Sequence, residues 1–229
     1  MKLGLVYAMP IELAGMLERA KGRALETVCG VHFYELADGI IACAGGIGKV
    51  NIAMATQLLI DRYAPDCILN AGVAGSMVQE LDPGALVLVD KFYQHDMDTS
   101  GIGDPVGFVS TVDRIDFPCA FVDESRAVLK ELGVSFTEGS VASGDYFVVD
   151  GERARWIRDT FHPVLCEMEG CAIAQVCCRA EIPFVSIKAV SDRVFHDGNG
   201  DEYQFNLPEA CDKLSEVFWA FVQKLKEVK

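Results

Sequence analysis

Apolar runs of strand length alternate with segments of helical spacing along most of this chain. The N-terminal run KLGLVYAM is continuous, and the segment IELAGMLERA after it places Ile11, Leu13, Met16 and Leu17 at helical intervals. A continuous apolar run of this length is typical of a strand that is buried on both faces. The pattern therefore predicts a buried strand followed by a helix.

The alternation continues to the C-terminus. The segment HFYELADGIIACAGG predicts two strands around an Asp38-Gly39 turn, because Asp-Gly between apolar runs is a strong hairpin signal. Residues 92 to 118 are rich in Gly, Asp and Pro and are predicted to form a loop. Further strands are predicted in DCILNAG, GALVLVD, FTEGSVASGDYFVV, VLCE and PFVSIKAVSD, and further helices in KVNIAMATQLLIDRY, DESRAVLKELG, GERARWIRDT, MEGCAIAQVCCRAE and the segment from Pro208 onward.

This order of elements predicts an α/β fold with a mixed, largely parallel twisted sheet and helices on both faces. No linker, repeat or change in composition divides the chain, so residues 1–229 are expected to form a single domain. In such folds, ligands bind beyond the carboxyl ends of the strands. Polar residues at the strand ends are therefore the first candidates for a functional site.

The net charge and the cysteine content limit the kinds of binding partner and the cellular compartment that we expect for this protein. The chain carries 34 acidic and 20 basic residues, a net charge of −14, which opposes binding to nucleic acid or anionic membranes and favours a small ligand. No apolar stretch approaches the roughly 18 to 20 residues that span a bilayer, and the N-terminus does not resemble a signal peptide. Nine cysteines, mostly in apolar runs and without metal-ligand spacing, predict reduced thiols, a cytoplasmic location and no metal.

Three acidic residues lie at predicted strand ends. Glu12 begins the first helix, Glu169 follows Glu167 in the segment CEMEG, and Asp192 ends the most apolar strand. An acid at a helix start also has a purely structural explanation, because the positive end of the helix dipole favours it. If the three carboxylates converge at one edge of the sheet, however, they would suit the oxocarbenium-like transition state of glycoside cleavage.

Two glycine-rich segments could bring backbone close to a ligand. AGGIGKVN, residues 44 to 51, is not a phosphate-binding P-loop, because Cys43 replaces the first glycine and Val50 the magnesium-binding hydroxyl residue. It is either a ligand-facing turn or a tight turn without a ligand. NAGVAGS, residues 70 to 76, follows a strand and could form the floor of a sugar or base site.

Lys188 lies inside the apolar strand FVSIKAV. A buried lysine is costly unless a carboxylate pairs with it, and Glu167 is the predicted partner. The alternative is that the Lys188 side chain extends to solvent at the end of the strand.

The segments GLVYAMPIEL, GGIGKVNIA, NAGVAG, SGDYFV, CEMEGCAIA and AVSD, in this order and spacing, resemble the nucleoside phosphorylase superfamily. Within it the chain is most similar to the 5′-methylthioadenosine/S-adenosylhomocysteine nucleosidases, and the similarity covers nearly the whole chain. The resemblance implies cofactor-free hydrolysis of the N-glycosidic bond of these nucleosides, with 5′-deoxyadenosine as a further candidate. The alternatives are a purine nucleoside phosphorylase, a futalosine-type nucleosidase of the same fold, or a catalytically silent nucleoside-binding protein. Because Glu12 would repel phosphate and suits water, hydrolysis is favoured over phosphorolysis.

The resemblance also implies a role for each candidate residue. Glu12 would position and deprotonate water, Glu169 would bind the ribose hydroxyls, and Asp192 would protonate adenine N7. The other implied contacts are Ser191 beside Asp192, Glu167 supporting the site from behind, Met168 under the sugar, Phe147 stacking on adenine, Val148 reading its edge through the backbone, and Met9, Ile47, Val73, Gly75 and Phe205 lining the remainder.

Some positions depart from the family pattern. Val73 replaces a common serine, Lys188 replaces arginine with a point charge, and Tyr146 is bulkier than usual. The loop RVFHDGNGDEYQ after Asp192 looks longer than usual. These differences leave the implied reaction intact and bear on the 5′ substituent.

The resemblance further implies a homodimer. The segment Thr99 to Val109 is expected to close the 5′ pocket of the partner subunit, because this long loop carries four apolar residues: Ile102, Val106, Phe108 and Val109.

Overall fold

The structure, a computed structural model, describes residues 1–149 and 151–228. The strands are β1 (Leu3–Tyr7), β2 (Arg23–Val28), β3 (Val31–Ala37), β4 (Ile40–Ala44), β5 (Cys67–Ser76), β6 (Leu86–Gln94), β7 (Asp116–Pro118), β8 (Thr137–Ser143), β9 (Leu165–Glu167) and β10 (Phe184–Arg193). The helices are α1 (Pro10–Ala20), α2 (Lys49–Tyr63), α3 (Val122–Glu131), α4 (Glu152–Phe161), α5 (Gly170–Ala180) and α6 (Asn199–Val228), with a 3₁₀ turn at Ser100–Ile102.

The strands form one mixed sheet in the order β10-β6-β8-β9-β5-β1-β4-β3-β2, and β7 pairs with β6. Strand β10 also pairs with β5, so β10, β6, β8, β9 and β5 close into a ring from which the other strands extend. The pairs β1–β4, β1–β5, β5–β10, β6–β8 and β8–β9 are parallel, and the remaining pairs are antiparallel. The predicted mixed α/β fold is confirmed.

Helices cover both faces of this sheet, as the continuous apolar strands predict. On β5, Cys67 and Leu69 point to a core formed with α1, α3 and α6. The alternate residues Ile68 and Ala74 point to a second core formed with α2 and α5. Because side chains alternate along a strand, a strand buried on both faces must be apolar throughout.

The last helix differs from the sequence prediction. It begins at Asn199 instead of Pro208, and Pro208 lies inside it. Proline is favoured in a first helical turn, which is why the sequence suggested a start there. The earlier turns are held from outside the helix, since Arg193 Nη2 on β10 donates to Glu202 at 2.6 Å and Asn206 Nδ2 donates to the Ser191 carbonyl at 3.1 Å.

The remaining differences are local. Strand β2 was not predicted, and the predicted loop at 92 to 118 contains the end of β6, the 3₁₀ turn and β7. Helix α2 buries Ile52 and Leu59 against the sheet but leaves Val50 81% exposed.

All nine cysteines are unpaired in the structure, in accord with the predicted reduced thiols. Among the described residues, none of the helices has both the length and the apolar character needed to cross a bilayer.

Candidate active site

A cavity of about 290 Å³ opens where β1, β5, β9 and β10 meet. It is close to the lower end of the range that binds small ligands. The described residues that line it are Ala8, Met9, Glu12, Ile47, Val73, Ala74, Gly75, Tyr146, Phe147, Val148, Cys166, Glu167, Met168, Glu169, Ser191, Asp192, Val194 and Tyr203. All the candidate residues from the sequence lie here except Phe205.

The GVAG segment of β5 forms the floor between the carboxylates. Gly75 pairs with Cys166 on one side and with Asp192 on the other, and Gly72 pairs with Lys188. A Cβ on Gly72 would lie 2.7 Å from Glu12 Oε1, and one on Gly75 would lie 3.1 Å from Asp192 Oδ2. A side chain at Gly72 would therefore displace the Glu12 carboxylate, and one at Gly75 would crowd the Asp192 carboxylate.

Glu12 is held by three backbone N–H groups. Its Oε2 accepts hydrogen bonds from Met9 N at 2.8 Å and Ala8 N at 3.1 Å, and its Oε1 accepts one from Val73 N at 3.0 Å. Glu12 therefore accepts hydrogen bonds from N–H groups at the start of α1, as the purely structural explanation suggested. It also joins that helix to β5 through Val73 N. A carboxylate has about four acceptor positions, so one remains for a ligand or water. Burial raises the pKa of Glu12, against the lowering effect of Lys188 and these N–H groups.

Glu167 and Lys188 form a buried ion pair behind the cavity wall. Lys188 Nζ lies 3.0 Å from Glu167 Oε2, and the two side chains are 3% and 4% exposed, which confirms the predicted pair and excludes the solvent-exposed alternative. The same oxygen accepts from Gly170 N at 2.8 Å, and the other accepts from the Ser143 hydroxyl. Burial opposes the charge on Glu167, but Lys188 and these donors hold its pKa below the usual range.

Glu169 has a different environment although it is only two residues away. Its Oε1 accepts one hydrogen bond, from Gly48 N at 2.6 Å, so the glycine-rich turn before α2 faces this site. Burial and the negative charge of Glu167 raise the pKa of Glu169 to about 8. Within CEMEG, one glutamate is thus held ionised and the other is held largely protonated at neutral pH.

Asp192 lies at the opposite end of the cavity and is 2% exposed. Ser191 Oγ lies 2.7 Å from its Oδ1, and Asn199 Nδ2 donates to its Oδ2 at 2.9 Å. No described residue forms a salt bridge with it, so Lys188 points elsewhere, as expected. Burial raises the pKa of Asp192, which the hydrogen bonds from Asn199 and Ser191 partly offset.

The prediction that Phe205 lines the cavity is wrong, and Tyr203 lines it instead. Phe205 is 83% exposed and does not line the cavity, whereas Tyr203 does. Both lie on α6, where two residues are separated by about 200° around the axis, so they cannot face the same way. The Tyr203 ring meets Phe147 edge-on at 5.3 Å, and its hydroxyl lies 3.6 Å from Met9 Sδ.

The cavity combines four carboxylates with an apolar wall. Among its described lining residues there is neither lysine nor arginine. In residues 1–149 and 151–228, no cluster of three or more His, Cys, Asp or Glu side chains is arranged to hold a metal ion. Glu12, a candidate base, and Asp192, a candidate acid, lie at opposite ends of the cavity, and the pKa values of both are raised. This arrangement suits acid–base chemistry.

Comparison with known proteins agrees with this geometry. The model of the phosphorylase superfamily matches residues 2–223. The 5′-methylthioadenosine/S-adenosylhomocysteine nucleosidase of Shewanella sediminis is 36% identical over 211 residues, which cover 89% of this chain and 92% of that protein. The relative from Shewanella halifaxensis is 36% identical over 216 residues, with the same coverage.

Two solved structures from Helicobacter pylori superpose over nearly the full chain. One is a 5′-methylthioadenosine/S-adenosylhomocysteine nucleosidase with butyl-thio-DADMe-Immucillin-A, with a TM-score of 0.92, 26% identity and 98% coverage of each chain. The other is a futalosine hydrolase, with a TM-score of 0.91, 26% identity and the same coverage. The chain therefore belongs to the phosphorylase superfamily and, within it, to the 5′-methylthioadenosine/S-adenosylhomocysteine nucleosidases.

Proposed function

We propose that this protein hydrolyses the N-glycosidic bond of 5′-methylthioadenosine and S-adenosylhomocysteine, releasing adenine and the 5′-thioribose. 5′-Deoxyadenosine is a further candidate substrate, because it shares the adenine and the scissile bond. The proposal follows from the family of the chain and from the chemistry of the cavity.

The observation that favours hydrolysis over phosphorolysis is the lack of an unpaired cation in the described lining of the cavity. Four carboxylates and no lysine or arginine line it among the described residues. The nearest buried cation, Lys188, is already paired with Glu167. Phosphate binding favours cationic donors, and the unpaired Glu12 carboxylate would repel it, whereas water can donate a hydrogen bond to the free acceptor position of Glu12.

At the sugar end of the cavity, defined by Glu12, Glu167 and Glu169 with Lys188 behind Glu167, we assign the nucleophile and ribose contacts. The remaining acceptor position of Glu12 holds the attacking water and takes its proton. Glu169 accepts hydrogen bonds from the ribose hydroxyls, with Met168 under the sugar. The nearby negative charge favours the positive charge that develops on the ribose ring in the transition state.

At the base end, defined by Ser191, Asp192, Asn199 and Val148, we assign the leaving group. Protonated Asp192 donates to adenine N7, so that adenine leaves as a neutral base. Phe147 stacks on the ring, and the Val148 backbone binds its edge. The raised pKa of Asp192 supports this role, because a general acid must retain its proton near neutral pH.

The remaining lining residues surround the 5′ substituent and the sugar. We assign Met9, Ile47, Val73 and Gly75 to this apolar wall, together with Tyr203 in the place expected for Phe205. Val73 offers an apolar side chain where a serine hydroxyl is common in the family.

The direct test is adenine release, followed by chromatography, in phosphate-free buffer. We expect release from 5′-methylthioadenosine and S-adenosylhomocysteine, no acceleration by added phosphate, and ¹⁸O from labelled water at the ribose C1 hydroxyl. Acceleration by phosphate with formation of ribose 1-phosphate would instead establish a phosphorylase. Binding without release of adenine would leave a nucleoside-binding protein.

A futalosine-type nucleosidase is the second candidate, and the similarity to the Helicobacter pylori futalosine hydrolase favours it. The cavity lining also includes the exposed ring of Tyr146, which could contact a large 5′ substituent. Comparison of kcat/KM for 5′-methylthioadenosine, S-adenosylhomocysteine and futalosine separates the candidates. A preference for futalosine of tenfold or more, about 1.4 kcal/mol, would replace our assignment.

We further propose that the protein is a homodimer whose segment Thr99 to Val109 helps to close the partner's 5′ pocket. In that segment Val109 is buried, Val106 and Phe108 are partly buried, and Ile102 is 85% exposed, so Ile102 is the most accessible of the four to a partner. The exposed apolar side chains Val50 and Met54 on α2 also support an interface.

Sedimentation velocity tests the dimer. Val50→Glu and Ile102→Asp should each shift the protein toward monomer and lower activity, because each buries a charge in the interface. Trp156→Glu is the matched control, since Trp156 is a 40% exposed side chain on α4. A fully active monomer would contradict the proposal.

We also propose a cytoplasmic location. The nine unpaired thiols support it, because such cysteines persist in reducing compartments. Cell fractionation with an antibody tests this assignment, and recovery from an oxidising compartment would contradict it.

A further inference from the structure

Asn199 joins the candidate acid to the backbone that contacts the base. It is the first residue of α6 and is 3% exposed. Its Nδ2 lies 2.9 Å from Asp192 Oδ2 and 3.1 Å from the carbonyl oxygen of Val148. A carbonyl oxygen can only accept, so the amide nitrogen must face these two oxygens, and both of its N–H groups are committed.

We propose that Asn199 is a positioning residue for catalysis: it fixes the carboxyl group of Asp192 against the base and stabilises the carboxylate that remains after proton transfer. This inference rests on the proposed function, in which Asp192 protonates the leaving base. The proton passes from the Asp192 carboxyl group to the purine nitrogen as the glycosidic electron pair moves into the base.

The carboxyl group is held from three sides. Ser191 Oγ lies 2.7 Å from Oδ1, and Asn199 engages Oδ2. On the third side, β5 approaches so closely that a Cβ at Gly75 would lie 3.1 Å from Oδ2. Ser191 and Gly75 belong to the sheet, so Asn199 is the contact that α6 contributes.

The groups around Asp192 determine how much its anion depends on the hydrogen bond from Asn199. Among the described residues, the titratable groups that interact with Asp192 are Glu202 and Tyr203 on α6 and Cys166 on β9, and none of these is a cation. Arg193 on β10 is directed to Glu202 instead, at 2.6 Å. Hydrogen bonds from Asn199 and Ser191 therefore supply the stabilisation of the anion that a cation would otherwise give.

The second N–H group of Asn199 links the proposed proton donor, Asp192, to the segment that binds the base. Because it holds the Val148 carbonyl, the segment that contacts adenine and the group that protonates adenine share one anchor. Loss of the anchor should therefore disturb the alignment of donor and acceptor more than the affinity for the nucleoside. Misalignment of about 1 Å can cost about 100-fold in rate.

Two variants test the inference. Asn199→Leu removes both donors at similar volume, and Asn199→Asp replaces them with acceptors. We expect kcat for 5′-methylthioadenosine to fall about 10- to 100-fold with a smaller change in KM. The alkaline limb of the kcat profile should move to higher pH, since the active form of Asp192 is protonated and its anion loses a donor. Asn199→Asp should move the limb further, because a second carboxylate repels the Asp192 anion.

Asn206→Leu is the matched control. Asn206 also lies on α6, and its Nδ2 donates to the Ser191 carbonyl instead of the carboxyl group of Asp192. The alkaline limb should stay in place in this variant. Asn199→Ser, which keeps a hydroxyl donor, should recover part of the lost rate. An unmoved alkaline limb in both Asn199→Leu and Asn199→Asp would overturn the inference.

A measurement that does not require turnover separates this inference from the proposed function. Carboxyl ¹³C NMR of protein labelled at aspartate, assigned with Asp192→Asn, follows the Asp192 titration directly. We expect a higher pKa for Asp192 in Asn199→Leu than in the unaltered protein, and equal values would refute the role of Asn199. Absence of adenine release by the unaltered protein would instead refute the proposed function, whatever the titration shows.

Discussion

The two ends of the cavity use the same kind of side chain in different surroundings. At the sugar end, Glu167 is ion-paired with the buried Lys188, and its pKa is lowered. At the base end, Asp192 accepts hydrogen bonds from neutral groups, has no paired cation among the described residues, and its pKa is raised. Both groups are buried, and the direct ion pair with Lys188, together with the donors Ser143 and Gly170 N–H, lowers the pKa of Glu167, whereas the neutral donors around Asp192 only partly offset the effect of burial.

This comparison explains how one cavity can hold both a base and an acid. Glu12 lies in the field of Lys188 and accepts from three N–H groups, all of which favour its ionised form against the effect of burial. Asp192 has no such cation beside it among the described residues, and hydrogen bonds from Asn199 and Ser191 are what offset the effect of burial on its pKa. The following five predictions test this contrast, from the largest expected effect to the smallest.

Glu12→Gln should lower kcat for nucleoside hydrolysis by about 10⁴-fold, because the water loses its proton acceptor. Affinity for a substrate analogue should change little. The Gln amide places a donor opposite either Val73 N or the Ala8 and Met9 N–H groups, so the melting temperature must be followed as well. Equal losses of nucleoside affinity in Glu12→Gln and Glu169→Gln would contradict the different roles of the two residues.

Asp192→Asn should lower hydrolysis of adenine nucleosides by about 10²- to 10⁴-fold while adenine-containing ligands still bind. Activity of the unaltered protein should fall as pH rises through the Asp192 pKa, since only the protonated form is an acid, and the variant should lack this limb. A ribosyl substrate with 4-nitrophenol as leaving group needs no protonation and should be hydrolysed at nearly the parental rate. Equal slowing of both substrates would show that Asp192 is not the acid.

Lys188→Met should lower the free energy of unfolding by about 3 to 5 kcal/mol, because Glu167 is left buried without its cation. Lys91→Met is the matched control. Lys91 lies 3.6 Å from Asp116 at the surface, and its loss should cost at most about 1 kcal/mol. Urea denaturation measures both, and equal stability of Lys188→Met and the parent would refute the importance of the pair.

Nucleoside binding should release protons from Glu169. Its pKa is about 8 in the free protein, so it is mostly protonated at pH 7. Ribose hydroxyl donors favour the ionised form, which lowers this pKa in the complex and makes binding tighten as pH rises from 7 to 8. Calorimetry in buffers of different ionisation enthalpy measures the release, and Glu169→Gln should remove it. The same proton release in both proteins would exclude Glu169 as its source.

Tyr203→Phe should change kcat/KM for 5′-thio substrates by less than about tenfold, because its hydroxyl makes only a weak contact with Met9 Sδ. The relative preference among 5′ substituents should shift more than the rate itself. Phe205→Ser should leave both unchanged, since Phe205 is exposed. If Phe205→Ser altered substrate preference and Tyr203→Phe did not, the assignment of Tyr203 would be wrong.

The sequence alone determined the features that depend on local pattern. Continuous apolar strands predicted a sheet covered on both faces, and Asp38-Gly39 predicted the hairpin between β3 and β4. The apolar surroundings of Lys188 required a carboxylate partner, because a buried charge must be compensated. The motifs at the strand ends resembled those of one family, and this resemblance indicated Glu12, Glu169 and Asp192.

The tertiary structure decided what depends on residues far apart in the chain. The helix containing Tyr203 is anchored by contacts with the end of β10, so the sequence around Pro208 could not predict its start or its orientation. Asn199 likewise gave no signal, because a lone asparagine in a glycine-rich segment is typical of a turn. Protonation states were also undetermined, since Glu167 and Glu169 are two residues apart, yet Lys188 on another strand forms an ion pair with Glu167 alone, and the charge of Glu167 in turn raises the pKa of Glu169. A pKa depends on distances between charges in space, which the order of residues does not specify.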